Sequence, residues 1–189
     1  MNTLIQNLKE ALIGETKAQL KYKFFAEKAR KENLPAIADL FKAISFAESI
    51  HIKNHKRALS VYTNSEIKPS DFLDINQDEI KEQVKSTQEN LENAIEGEIY
   101  ETKTMYKQFE KNADNMGEIT VRLSFSLARE AESIHAKLFK KYRKRLKKGK
   151  QIKQRKIFVC QICGNVEFDE APDTCPVCDH DKQFFKKFS

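Results

Sequence analysis

Four glutamates in this 189-residue chain fall on stripes that are otherwise apolar at helical spacing. Residues seven apart share a helix face to within about 20°. Leu8, Glu15 and Tyr22 are spaced in that way, as are Phe41, Glu48 and His55. So are Leu91, Glu98 and Met105, and Phe125, Glu132 and Phe139. His51 and His135 follow Glu48 and Glu132 by three residues, and Glu101 follows Glu98 by three, which keeps each pair on one side of its helix. Several carboxylates cannot stay charged together in a dry core, because one unpaired buried charge already costs several kcal/mol. Either some are protonated or cations bind between them. Oxygen ligands with two imidazoles suit iron or manganese rather than a thiolate-loving metal. Five glutamates and two histidines match the set with which helix bundles hold a pair of such ions.

An internal repeat supports a paired site. Ala47-Glu48-Ser49-Ile50-His51 recurs letter for letter as residues 131–135, with Phe41 and Phe125 in the same register. Gly14-Glu15 recurs as Gly97-Glu98, at an offset shorter by one. The other acids near these stripes, Glu92, Glu96 and Glu130, lie far round their helices and read as solvated. His55, one turn beyond His51, reads as a satisfied polar residue at the bundle end rather than a support for the ligands.

All four cysteines lie near the C-terminal end, as Cys160-x-x-Cys163 and Cys175-x-x-Cys178. Two such hooks close a tetrahedral S4 site, and Gly164 and Pro176 suit the tight turns they need. Spacing alone favours zinc over redox iron. A redox metal pair in the bundle needs an electron supply, which moves the balance to iron with zinc as a possible substitute.

Long helices must position these residues. The first stripe runs from Leu4 to Ala29 and ends near Asn33-Leu34-Pro35; the second opens at Pro35 and runs to about Tyr62. Residues 63–77, with Pro69 and several Ser, Asn and Asp, form a connection. A third helix is expected from near Asp78 through Val84, Leu91, Ile95, Met105 and Phe109, then a turn at Asn112–Gly117. The fourth carries Val121, Phe125, Ala128, Leu138, Tyr142 and Leu146. The fold class is therefore an all-α four-helix bundle with a long central crossover and a small C-terminal metal-binding domain. The expected units are residues 1–148, a basic linker 149–155, and 156–189.

Composition narrows the function classes. Apolar residues at 40% and charged residues at 33% exclude a disordered chain, and five Gly with four Pro argue against an all-β fold. No apolar run reaches the roughly 20 residues of a membrane span, and the amphipathic N-terminus lacks the centre of a secretory signal, so a reducing cytoplasmic setting is expected. The net charge of +6 is local: residues 1–139 hold 20 bases against 22 acids, residues 140–156 hold 11 bases and no acid, and residues 157–189 hold 3 bases against 6 acids. One tract with a single aromatic, Tyr142, offers no stacking platform for nucleic acid. Its cations suit a helix C-terminus or an acidic redox partner.

Taken together the motifs resemble the rubrerythrins, a ferritin-like di-iron bundle followed by a small rubredoxin-like metal-binding β domain, over nearly the whole chain. Gly14-Glu15, Glu48-x-x-His51, Gly97-Glu98-x-x-Glu101 and Glu132-x-x-His135 resemble the family's di-iron motifs in order and spacing. Phe158-x-Cys160-x-x-Cys163-Gly164 and Cys175-Pro176-x-Cys178-x-His180, with only positions 164–174 between the hooks, resemble its shortened rubredoxin signature. Asp179 departs from it, standing where the family usually has Gly. The resemblance implies that Glu48 and Glu132 bridge two irons, with Glu15 and Glu98 terminal. It implies His135 on the iron bearing Glu98, and His51 alternating with Glu101 on the other. Tyr22 and Tyr106 stand at the family's core tyrosines.

The activity so implied is a non-haem peroxidase reducing hydrogen peroxide to water, with electrons relayed by a single iron on the four cysteines. The chain shows no dinucleotide-binding loop, so the resemblance implies a separate NAD(P)H-dependent electron donor. The alternative is a ferroxidase or iron-storage role, which leaves the S4 domain without a use. A homodimer or higher homo-oligomer is expected, with a working dimer in which each S4 iron serves the other chain's metal pair. The reason is distance: Glu132 to Lys148 spans about 24 Å of helix, and nothing before Gly149 forces the chain back.

Overall fold

The computed structural model describes residues 2–68, 70 and 72–188. Helix α1 (Thr3–Lys31) starts at Asn2, whose side chain accepts the Leu4 amide, and α2 (Pro35–Thr63) starts at its own proline. Asn64 ends α2 in the left-handed conformation, at φ 49°, which Asn tolerates better than most residues. The crossover follows; Pro69, on which its sequence reading leaned, lies outside the described residues.

The third helix differs from expectation. A short helix, α3 (Gln77–Glu82), is separate from α4 (Thr87–Tyr100). Ser86 and Glu89 form a reciprocal capping box, and the Glu32 carboxylate accepts the Thr87 amide at 3.0 Å. These contacts place a true helix start well beyond the one near Asp78 that hydrophobic spacing suggested, because capping satisfies amides that a stripe does not count. Val84 sits in the break, half-buried against the core.

After α4 the chain makes a π-helical turn, Glu101–Met105, and continues as α5 (Tyr106–Asn115). Helix α6 (Ile119–Lys147) completes the bundle, with Lys144, Arg145 and Lys147 at its negative dipole end. A three-stranded antiparallel sheet follows, of β1 (Ile157–Cys160), β2 (Val166–Phe168) and β3 (Phe185–Lys187) in the order β2-β1-β3.

Two aromatic clusters bracket the buried carboxylates. Tyr22, Phe25, Phe41 and Phe139 form one, and Tyr106, Phe109 and Phe125 form the other with His55. Phe41 and Phe125 are partners in the internal repeat, so both halves use one packing scheme.

The segment after α6 differs from the expectation that nothing turns the chain back. The chain reverses at Gly149 (φ 60°), and the Lys150 amide bonds to the Arg145 carbonyl. Arg145 then holds the Gln151 carbonyl, and Gln154 reaches the buried carboxylate that Arg30 also grips, Asp39. Tyr142 packs against Phe168, with rings 6.1 Å apart. The short segment 149–156 suffices for the return, and the cysteine domain lies on its own bundle.

Candidate metal centres

Helices α1, α2, α4 and α6 each contribute a fully buried glutamate: Glu15, Glu48, Glu98 and Glu132. Their ligand atoms form two overlapping groups, Glu15–Glu48–His51–Glu132 and Glu48–Glu98–Glu132–His135, each with atoms within 4.8 Å of one another. Glu48 and Glu132 belong to both. The His51 Nδ1 lies 2.7 Å from Glu132 Oε1 and 3.0 Å from Glu48 Oε2. The His135 Nδ1 lies 2.6 Å from Glu132 Oε2 and 3.8 Å from Glu48 Oε1. Each shared carboxylate thus turns one oxygen to each histidine, the arrangement a bridging ligand requires.

The outer faces of the imidazoles settle their tautomers. His51 Nε2 donates to the Cys163 carbonyl at 2.9 Å, and His135 Nε2 donates to the Gly164 carbonyl at 3.0 Å. A carbonyl only accepts, so both Nε2 atoms carry hydrogen. Each Nδ1 is therefore the nitrogen that faces the interior, and it would offer its lone pair to a metal that displaced any proton held there. The first cysteine hook therefore rests directly on the two histidines, and Asn54 secures it through the Ile162 carbonyl at 2.8 Å. Gly164 is required there. Its φ is 82°, and a Cβ would stand 2.5 Å from His51 Nε2.

The terminal carboxylates are held by tyrosines. Tyr22 donates to Glu98 Oε1 at 2.7 Å, and Tyr106 makes a close hydrogen bond to Glu15 Oε1. Glu15 to Tyr22 spans seven residues and Glu98 to Tyr106 spans eight. The π turn absorbs the extra residue, so Tyr106, and not the Met105 of the seven-residue rule, is the partner of Tyr22. Such single-turn insertions concentrate at functional sites. Glu101 opens this turn half-buried and lies outside both ligand groups; a Cβ on Gly14 would come to 3.9 Å from its Oε1. Glu92, Glu96 and Glu130 are exposed or half-buried, and Glu92 pairs with Lys147.

The donor set fits a pair of cations. Glu15 Oε2, both oxygens of Glu48, Glu98 Oε2, Glu132 Oε1 and His51 Nδ1 are buried with no hydrogen-bond partner among the described residues. Burial first, then the neighbouring carboxylates, pushes Glu48, Glu98 and Glu101 well above the usual carboxylate range. Burial opposes the charge on Glu15 and Glu132 too, yet His51 holds Glu15 at about 2, and His51 with His135 holds Glu132 well below its usual value. Cations would replace this sharing of protons.

The four cysteines also come together, and none is in a disulfide. Cys160 and Cys178 have their sulfurs 3.7 Å apart, and Cys163 and Cys175 have theirs 3.6 Å apart. Four sulfurs about 2.3 Å from one ion form a tetrahedron with edges of about 3.8 Å, so the spacing is that of an S4 cage. Asp179 takes φ 58° and donates its amide to the Cys175 carbonyl. The position needs a left-handed residue, which is why Gly suits it and why Asp can replace it.

Three supports were illegible from spacing: the Cys163 and Gly164 carbonyls, Asn54, and the pairing of His55 with Ser124 and Tyr106. The glycine after the first hook was a partial signal, since a left-handed position beside a cysteine suggests a close approach. Asn54 gave none.

Comparison with known proteins places these centres. A family model described as Rubrerythrin matches residues 6–143, and one described as the rubredoxin-like domain of rubrerythrin matches residues 158–186. Rubrerythrin-2 of Clostridium acetobutylicum is 36% identical over 183 residues, covering 96% of this chain and 94% of that protein. Nigerythrin of Nitratidesulfovibrio vulgaris is 31% identical over 188 residues, covering 100% of this chain and 88% of the relative. A solved structure of fully reduced, all-ferrous nigerythrin superposes with a TM-score of 0.86 at 31% identity, over 100% of this chain and 88% of that one.

Proposed function

The chain belongs to the rubrerythrin family, and on that premise we propose that it is a non-haem di-iron peroxidase that reduces hydrogen peroxide to water. The observation that carries this reading is the seating of the first cysteine hook on both candidate histidine ligands. An iron store has no need of an S4 centre wired to its metal ligands.

When bound, a ferrous pair supplies both electrons for peroxide reduction, and one iron on the four cysteines restores them singly. Glu48 and Glu132 would bridge the pair. Glu15 with His51 would hold one ion and Glu98 with His135 the other, with Glu101 the carboxylate that would take the place of His51. Tyr22 and Tyr106 orient the terminal carboxylates by donating to their Oε1 atoms, which leaves each Oε2 free to ligate. Reduction of one peroxide to two waters also consumes two protons. Cys160, Cys163, Cys175 and Cys178 would hold the single iron, refilled by a separate NAD(P)H-dependent reductase. The proposed setting is a reducing cytoplasm, with units 1–148, 149–155 and 156–189 assembled as a homodimer.

The test compares two variants with the iron-loaded chain. Glu132→Ala should lose bundle iron and peroxide turnover while the ferric S4 absorption persists. Cys160→Ser should allow one oxidation of a chemically reduced bundle by peroxide, yet block steady turnover from a protein donor. Normal turnover in Glu132→Ala would remove the bridging role, and faster oxidation by dioxygen than by peroxide would favour a ferroxidase.

A further inference from the structure

His55 is fully buried and belongs to neither ligand group. Both its ring nitrogens are engaged: Nε2 lies 2.9 Å from the Tyr106 hydroxyl, and Nδ1 lies 2.7 Å from Ser124 Oγ. The Tyr106 hydroxyl has one proton, and it goes to Glu15, since a carboxylate is the stronger acceptor. The tyrosine oxygen must then accept from His55, so Nε2 carries hydrogen and Nδ1 accepts from Ser124. The result is a directed chain, Ser124 to His55 to Tyr106 to Glu15, in which each donor polarises the next.

The other half of the repeat lacks this chain. Tyr22 also donates to a terminal carboxylate, Glu98, and is the counterpart of Tyr106. In the register that pairs Glu48 with Glu132, however, His55 corresponds to Phe139, and Ser124 corresponds to Leu40. Phe139 packs on the Tyr22 ring at 5.3 Å and can donate nothing. Apart from the π turn, the two halves share aromatic packing, glutamate and tyrosine, and they differ in what stands behind the tyrosine.

We propose that His55 is a positioning residue, which pins the Tyr106 hydroxyl onto Glu15 and so makes the Glu15 side of the metal cluster more rigidly organised than the Glu98 side. The consequence for metal rests on reading Glu15 as a ligand; the hydrogen-bond chain does not. A pinned carboxylate loses less freedom when an ion arrives, and removing a support of this kind commonly weakens metal affinity by about 10–100-fold.

His55→Phe copies the residue of the other half, and His55→Gln keeps a donor near Nε2. In metal-free protein labelled at the tyrosine ring carbon bearing the hydroxyl, with Tyr106→Phe to assign the signal, the Tyr106 resonance should move in His55→Phe. It should stay near its original place in His55→Gln, and Tyr22 should not move in either. Anaerobic titration with ferrous ion alone should show one of the two bundle equivalents weakened about 10-fold or more in His55→Phe and restored in His55→Gln. An unmoved Tyr106 resonance in folded His55→Phe, or a moved one with both equivalents unchanged, overturns the proposal. Should His55→Phe fail to fold, nitrogen NMR of the unsubstituted metal-free chain decides: a bare Nδ1 with a protonated Nε2 supports it, and the opposite tautomer overturns it. An unsubstituted chain that takes up no metal pair would count against the di-iron reading, while the tyrosine resonance still reports on His55.

Discussion

At the scale of single residues, the charge state of the cluster gives a testable pH dependence. Glu48, Glu98 and Glu101 are held up by burial and then by other carboxylates, and His51 is held up, against burial, by Glu132 and Glu15. Each binds its proton more tightly folded than unfolded. Their stabilisation is full below the unfolded pKa and is lost as pH rises through the raised one. Glu15 and Glu132 are held low and act in the opposite sense, with stabilisation present above the ordinary carboxylate range and lost as pH falls below it. Above about pH 5 the first set still titrates, opposed within the cluster only by His55, which burial holds low and which acts as one group against four. Metal-free protein should therefore melt at a lower temperature at about pH 8 than at about pH 6. Ferrous ion should remove that slope, because cations displace the shared protons. Calorimetry in both states checks it, and a melting temperature of the metal-free chain that rises over this range would contradict the shared-proton picture.

At the scale of elements, the π turn sets one half of the repeat apart from the other. Glu101 stands three residues after Glu98, and the equivalent position after Glu15 is Ala18. The wider turn accompanies the additional carboxylate. Lys103 lies within the turn and is exposed, so it can be deleted without opening the core. Deletion restores the seven-residue spacing of α1, in which a tyrosine still reaches the facing glutamate. The shortened chain should stay folded, because the deleted side chain is exposed and the turn's ends already lie in the right-handed helical region. Donor-linked turnover should fall, since Glu101 loses the turn that places it. Thermal melts and steady-state peroxide reduction measure the two effects, and unchanged turnover would mean that the π turn serves packing alone.

At the scale of the whole molecule, the two centres meet through backbone atoms. Gly164→Ala adds a methyl at 2.5 Å from His51 Nε2 and 3.3 Å from the Ala47 carbonyl, in a left-handed position that alone costs an alanine about 1–2 kcal/mol. Both metal sites should still fill, but the hook should lift from the histidines. Electron transfer from the S4 iron, followed by stopped-flow absorption, should slow by an order of magnitude or more. Transfer at the original rate would show that the carbonyl contacts are not on the electron path. The return of residues 149–156 also makes a prediction about assembly. A mixture of Glu132→Ala and Cys160→Ser, dissociated and reassociated, should recover no donor-linked activity, because each hook docks on its own bundle. Partial recovery in mixed dimers would mean that the same docking is exchanged between chains.

Side-chain type and spacing were enough to identify the ligands as candidates and the bundle that gathers them. A seven-residue period places a glutamate on a buried stripe whatever the stripe packs against, and a Cys-x-x-Cys hook closes on an ion by local geometry. The internal repeat even held the trace of the π turn, because the offset from Tyr22 to Tyr106 exceeds that from Glu15 to Glu98 by one. Tertiary structure decided the rest. The start of α4 depended on Glu32 at the end of α1, and the reversal after α6 depended on Arg145 and Asp39 gripping the returning segment. The histidine tautomers depended on the carbonyls of Cys163 and Gly164, and a carbonyl is common to every residue, so no pattern of letters marks the two that matter. His55 is the sharpest case. Its position on the stripe was plain, but its role was set by Tyr106 and Ser124, both distant in the chain, which only packing brings within reach of one ring.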